Sequence, residues 1–164
     1  MPTDRFSDTV QLVAAPSAVY AHLIDPRSYV GLSPLVVAVR DIRARGDETS
    51  YVAVERIPLG PFHWNNPIRV TLTGFDPDRR LVSRVVSPGG VRLSATVDLA
   101  PAGAGTALTE TIEVSSPAVL RSFVRKQATS VQRARLAELS RRFSRSVPPG
   151  RSVPPGREDL NDPA

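Results

Sequence analysis

Residues 116–143 read SPAVLRSFVRKQATSVQRARLAELSRRF, the longest stretch of the chain free of glycine and of any proline beyond Pro117. Proline is tolerated in a first helical turn and the rest is good helix-forming material, so the stretch predicts one long helix. At 100° per residue, Val119, Leu120, Phe123, Val124, Ala128, Val131 and Ala134 fall within one half of the circumference, the stripe of a helix laid against a sheet. Gln127 lies in the middle of that stripe. Beyond Ala134 the apolar positions move round to Leu136, Leu139 and Phe143, so the two halves of the helix are expected to face different surroundings. Arg121, Arg125, Lys126, Arg133, Arg135, Arg141 and Arg142 are assigned to the opposite, basic face, against Glu138.

Everything before this helix reads as strands and turns, with one short exception. Thr9 to Ala15 suits a first strand, stopped by Pro16. In Ser17 to Ile24 the pairs Val19/Leu23 and Tyr20/Ile24 stack at helical spacing, and Asp25-Pro26 ends that helix, with one further turn before Pro34. Val36 to Ala44 and Thr49 to Ile57 form a hairpin through Gly46-Asp47. Leu59 to Pro67 is expected to be a loop carrying His63 and Trp64. Alternation then marks strands around Ile68, Val70 and Leu72, around Leu81, Ser83 and Val85, from Val91 to Leu99, and from Thr106 to Val114. With a turn at Pro101 to Gly105, Leu99 pairs with Thr106, Val97 with Leu108 and Leu93 with Ile112. That register sets Glu110 opposite Ala95 on the apolar face, an ionisable group where the pattern asks for a hydrophobe.

Composition narrows the function classes. The 164 residues, 41% of them apolar, provide one domain with an ordinary core. The absence of cysteine excludes disulfides, thiolate catalysis and cysteine-ligated metals, and two histidines leave little from which to build a metal site. No cofactor or metal is expected. Residues 1–8 are expected to be a tail, residues 9–143 the folded domain, and 144–164 a disordered end, in which Arg145-Ser-Val-Pro-Pro-Gly150 repeats as Arg151-Ser-Val-Pro-Pro-Gly156. No apolar run reaches the ~20 residues of a membrane span, so a soluble cytoplasmic protein is expected, without integral membrane association, as a monomer or homodimer. The net charge of +5 does not point to nucleic acid, because the long helix alone contributes +6 and the remainder is close to neutral. That basic face is either simply solvated or meets an acidic partner.

The order strand, two short helices, six antiparallel strands and long C-terminal helix resembles the START-like (SRPBCC) superfamily of polyketide cyclases and birch-pollen allergens. The resemblance is carried by Val13-Ala14-Ala15-Pro16-Ser17-Ala18-Val19-Tyr20, by Leu23-Ile24-Asp25-Pro26, by Thr71-Leu-Thr-Gly-Phe-Asp-Pro77, and by Leu136 and Leu139 in the closing helix. It implies an α+β helix-grip fold, a curved sheet of about seven strands around the helix, with a cavity for a small hydrophobic molecule between them. Small residues on inner faces, Ala53, Ser83, Ala95 and Ala134, are expected to leave the room. Candidate ligand contacts are Gln127, Phe123, Tyr51, Trp64, His63, Ala95, Val131 and Ala134.

Any chemistry would be acid–base work by isolated polar groups in that cavity, with Glu110 the candidate catalytic residue. Glu110 is either an unpaired carboxyl whose apolar surroundings raise its pKa, or a carboxylate at the cavity rim paired with an arginine such as Arg56 or Arg84. A hydrophobic-ligand binder, a cyclase or dehydratase acting on such a ligand, and an interaction module using the basic helix remain the function classes.

Overall fold

The computed structural model describes residues 1–144, so the repeat from Arg145 onward lies outside the described residues. The chain runs β1 (Thr3–Leu12), α1 (Pro16–Ile24), a 3-10 turn (Pro26–Tyr29), β2 (Val36–Arg45), β3 (Glu48–Leu59), β4 (Phe62–Asp76), β5 (Arg80–Ser87), β6 (Val91–Ala102), β7 (Gly105–Ser115), a second 3-10 turn (Ala118–Leu120) and α2 (Arg121–Ser144). The seven strands form one antiparallel sheet in the order β1-β7-β6-β5-β4-β3-β2. Five of the six pairings join consecutive strands through hairpins, and in the sixth the first strand pairs with the last.

β1 begins six residues earlier than its apolar pattern suggests. Residues 3–8, expected as a tail, pair with β7 from Thr3 opposite Ser115 to Asp8 opposite Glu110. Their outward side chains are polar, as one wet face of a sheet demands, and that polarity made them read as tail. Asp4 accepts two hydrogen bonds from the Arg121 guanidinium, at 2.9 and 3.0 Å, which ties the start of β1 to the start of α2.

The β6–β7 register also differs from the expected one. A tight turn at Gly103-Ala104 pairs Ala102 with Gly105, so Leu99 meets Leu108, Val97 meets Glu110 and Ala95 meets Ile112. The slip is two residues, and because side chains alternate with period two, every residue keeps its expected face. Glu110 therefore remains on the inner side. Gly105 is required for close packing here: a Cβ on it would lie 2.0 Å from the Leu12 carbonyl oxygen of β1. Next to it, buried Thr106 donates its hydroxyl to the Ala14 carbonyl at 2.6 Å.

At one end of the sheet, α1 and the second half of α2 fill the concave face with a core that includes Val19, Leu23, Leu81, Leu99, Leu108, Leu136 and Leu139. Arg142 secures this end, donating to the Ser28 and Val30 carbonyls at 2.7 and 3.1 Å. A smaller core of Val36, Tyr51, Ala53, Ile68, Val70 and Leu72 lies on β2–β4. At the other end only the first half of α2 covers the sheet.

Candidate functional site

That uncovered end holds a cavity of about 360 Å³, within the ~300–1,000 Å³ typical of ligand pockets. Its floor comes from matching ends of β3 to β7, through residues such as Ile57, Ile68, Val85, Leu93 and Val114. Its roof is one stripe of α2 and the preceding turn: Leu120, Phe123, Val124, Gln127, Val131 and Arg135. These recur at intervals of three and four, the spacing that puts side chains on one face. Trp64 and Phe123 line the cavity and are also solvent-exposed, at 47% and 58%, which sets the mouth between the β3–β4 hairpin and the start of α2.

Of the expected contacts, Gln127, Phe123, Val131 and Trp64 meet in this cavity. Trp64 does so from a strand, since the expected loop is the start of β4, with Trp64 opposite Ile57 and His63 opposite Pro58. His63 points to solvent and does not line the cavity. Tyr51 and Ala95 are buried in packed regions beyond it. Ala134 is exposed, and so is Val119, at 91%. The inward face of α2 has already turned by Gln132, about a third of a turn from the face roofing the cavity, so Ala134 lies off the packed side. Val119 sits in the 3-10 turn, outside the α-helical phase. The room thus comes from the missing cover at one end of the sheet, not from small side chains: Ala53 and Ala95 are packed.

Glu110 is 4% exposed, lies outside the cavity wall, and is paired with an arginine that sequence reasoning assigned to solvent. Arg135 Nη2 donates to Glu110 Oε1 at 2.5 Å, while Arg56 and Arg84 are on the outer surface. The angular position of Arg135, beside Val131 and Ala128, was the available signal; its charge obscured it. Gln132, also missed, is buried and donates to the Glu110 backbone carbonyl at 3.0 Å. Burial works against the charge on Arg135, but the charge and hydrogen bond of Glu110 prevail and hold it above its ordinary value, firmly protonated. Tyr29 and Tyr51 stand nearby with ring centres 6.3 Å apart. Burial pushes both hydroxyls well above their ordinary range, so both stay protonated. Arg135 is the member of this cluster that reaches the cavity, and Glu110 is its only hydrogen-bond partner among the described residues.

A second polar group, not anticipated from sequence, lies across the cavity. Asn66 on β4 is 3% exposed and donates from Nδ2 to Glu55 Oε2 and to Ser87 Oγ, both at 3.2 Å; all three residues line the wall. Burial raises the Glu55 pKa, opposed by the Asn66 hydrogen bond. On the opposite side of α2, Ser122, Arg125, Lys126, Thr129, Ser130 and Arg133 form a shallow basic surface. Among the described residues no group of three or more His, Asp or Glu is placed to hold a metal, and no helix is long and apolar enough to cross a membrane.

A curved antiparallel sheet gripping a C-terminal helix over an apolar cavity defines the helix-grip class of the START-like superfamily. Residues 3–144 match the family described as "Polyketide cyclase / dehydrase and lipid transport", and the chain belongs to that family. Among solved structures it is similar to a START superfamily protein from Mycobacterium smegmatis, with a TM-score of 0.73 at 14% identity over 87% of this chain and 99% of that one. The Zhui aromatase/cyclase from Streptomyces sp. R1128 gives 0.65 at 18% identity, over 86% of this chain and 96% of that one. The di-domain ARO/CYC StfQ of the steffimycin biosynthetic pathway gives 0.70 at 12% identity over 87% of this chain, which spans 51% of StfQ. Identities this low establish the fold alone. Among curated proteins no sequence matches.

Proposed function

We propose that the chain binds a small hydrophobic molecule, of polyketide, lipid or aromatic type, between its sheet and α2. The observation that carries this is the open cavity itself: about 360 Å³, walled mainly by aliphatic side chains, in a domain whose opposite end is tightly packed. Its exposed aromatic mouth gives an apolar ligand a route in. Replacing Ala128, in the roof, with Phe should reduce Nile red affinity at least tenfold with the fold intact, whereas Phe at exposed Ala134 should leave affinity unchanged. Equal dye binding by the wild type and Ala128→Phe would remove this cavity as the site.

A cyclase or dehydratase acting on such a ligand is the second reading, favoured by one observation: a charged residue, Arg135, lines the otherwise largely apolar cavity. There it would polarise a ligand carbonyl, with Glu110 holding it in position rather than exchanging protons with the ligand. An interaction module using the basic face of α2 toward an acidic partner ranks below both, because the cavity is open rather than filled.

A further inference from the structure

Apolar side chains stand exposed on both sides of the cavity mouth. On the β3–β4 hairpin Ile57 and Trp64 are paired and line the cavity, and Leu59 and Phe62 are paired one step nearer the tip. Residues two apart on a strand share a face, so the inner stripe of the sheet runs out beyond the core as an apolar finger, with Leu59 and Phe62 exposed at 54% and 74%. Across the mouth Val119 and Phe123, at the start of the helical segment, are exposed as well. Such a rim marks a surface that meets something other than water. The charges beside it have one sign. The segments that line the mouth, residues 59–64, 88–92 and 117–126, carry Arg92, Arg121, Arg125 and Lys126 and no acidic residue. Arg121 is paired with Asp4, and the other three cations remain. The turns at the packed end instead mix both signs, Arg45 with Asp47 and Glu48, and Arg79 with Asp76 and Asp78.

We propose that the mouth docks onto the surface of an anionic lipid bilayer, with Leu59, Phe62 and Val119 entering the interface and the cations at the start of α2 meeting lipid phosphates. The apolar residues project from two separate elements, and the tip Leu59-Gly60-Pro61-Phe62 offers no side-chain hydrogen-bonding group to a protein partner. A fluid apolar layer accepts such projections without matching their shape. Trp64, an apolar ring with one N–H, suits the boundary between headgroups and hydrocarbon. Arg121, Arg125 and Lys126 fall within the first six residues of α2, about 9 Å of helix axis, so all three lie within roughly one Debye length of a surface at the mouth. Docked in this way, the cavity opens into the apolar phase, and a molecule passing between the two avoids water. The docking itself needs no ligand in the cavity.

Trp64 is the only tryptophan, so its fluorescence reports the mouth directly. The full chain is mixed with vesicles of phosphatidylcholine, alone or with about a third phosphatidylglycerol, and binding is read by flotation. Anionic vesicles should shift the Trp64 emission to the blue and carry at least about tenfold more protein than neutral ones. Phe62→Asp with Val119→Asp, and separately Arg125→Glu with Lys126→Glu, should each lower vesicle binding at least about tenfold. These four residues are exposed and do not line the cavity, so Nile red affinity without vesicles and the melting temperature should stay at their wild-type values. A wild type that ignores both kinds of vesicle, or whose binding to anionic vesicles survives both double variants, overturns the proposal. So does a dimer in gel filtration that Phe62→Asp with Val119→Asp dissolves while no vesicle is bound, which assigns the rim to a second copy of this chain. Vesicle binding by a wild type that takes up no Nile red supports docking and removes only the ligand-binding reading.

Discussion

Glu110 and Arg135 illustrate how far a single residue can be read. Alternation on β7 placed Glu110 indoors correctly, even with the pairing two residues out, because a slip of two preserves the face. Its partner went unrecognised because a charged side chain on a basic helix is ordinarily solvated. Breaking one half of a buried ion pair leaves the other charge stranded, at a cost of about 3–5 kcal/mol. Glu110→Leu is therefore expected to lower the melting temperature by roughly ten degrees, whereas Glu110→Leu combined with Arg135→Met should recover most of that loss. Calorimetry on the two variants checks it; equal losses would mean that the pair contributes little beyond packing.

A single methyl group should be nearly as informative at Gly105. Gly105→Ala sets a carbon against the Leu12 carbonyl, a backbone atom that can yield only by moving β1, and should destabilise by about 1–3 kcal/mol in denaturant titrations.

At the scale of elements, α2 is held at both ends by arginines, Arg121 to β1 and Arg142 to the loop after α1. Arg142 Nη1 also donates to His22 Nε2 at 3.1 Å, which keeps the imidazole neutral, with Ser28 Oγ 3.4 Å from Nδ1. Burial first, and then the charge of Arg142, lower the His22 pKa, against a smaller opposing pull from Asp25. The unfolded chain therefore binds this proton more readily than the fold does. Stability should be constant well above pH 6.5, fall as the pH drops through that ordinary value, and level off below the folded pKa. His22→Gln should flatten this step, as read from melting curves between pH 5 and pH 8; an unchanged step would assign it to other groups.

The strands, the hairpins and the existence of the long helix were legible because each carries its period in the apolar residues. Where the helix turned its face was not, because that depends on the curvature of a sheet whose shape no local pattern encodes. For the same reason the Asn66 cluster was hidden: Glu55, Asn66 and Ser87 come from three strands, and only the pairing of β3 with β4 and the curvature beyond it bring them together.

For the whole molecule, packing is divided unequally, one end of the sheet filled and the other hollow. The superfamily resemblance implied a cavity between sheet and helix, but not that one uncovered end of the sheet would provide it. The duplicated proline-rich segment lies outside the described residues, and deleting residues 145–164 is expected to shift the melting temperature by no more than a couple of degrees; a drop of about ten would show that it docks on the domain.

The pairing of β1 with β7 also imposes an order in time. The hydroxyls of Thr9 and Thr109 meet 2.9 Å apart although 100 positions separate them in the chain. During synthesis at roughly 5–20 residues per second, β1 leaves the ribosome on the order of ten seconds before its partner exists. In that interval it is an orphan strand, and the charges of Asp4, Arg5 and Asp8 along it are the kind that discourage pairing with a stranger. Completion of the fold must then wait for the last hairpin, which places this domain among slow, topology-limited folders.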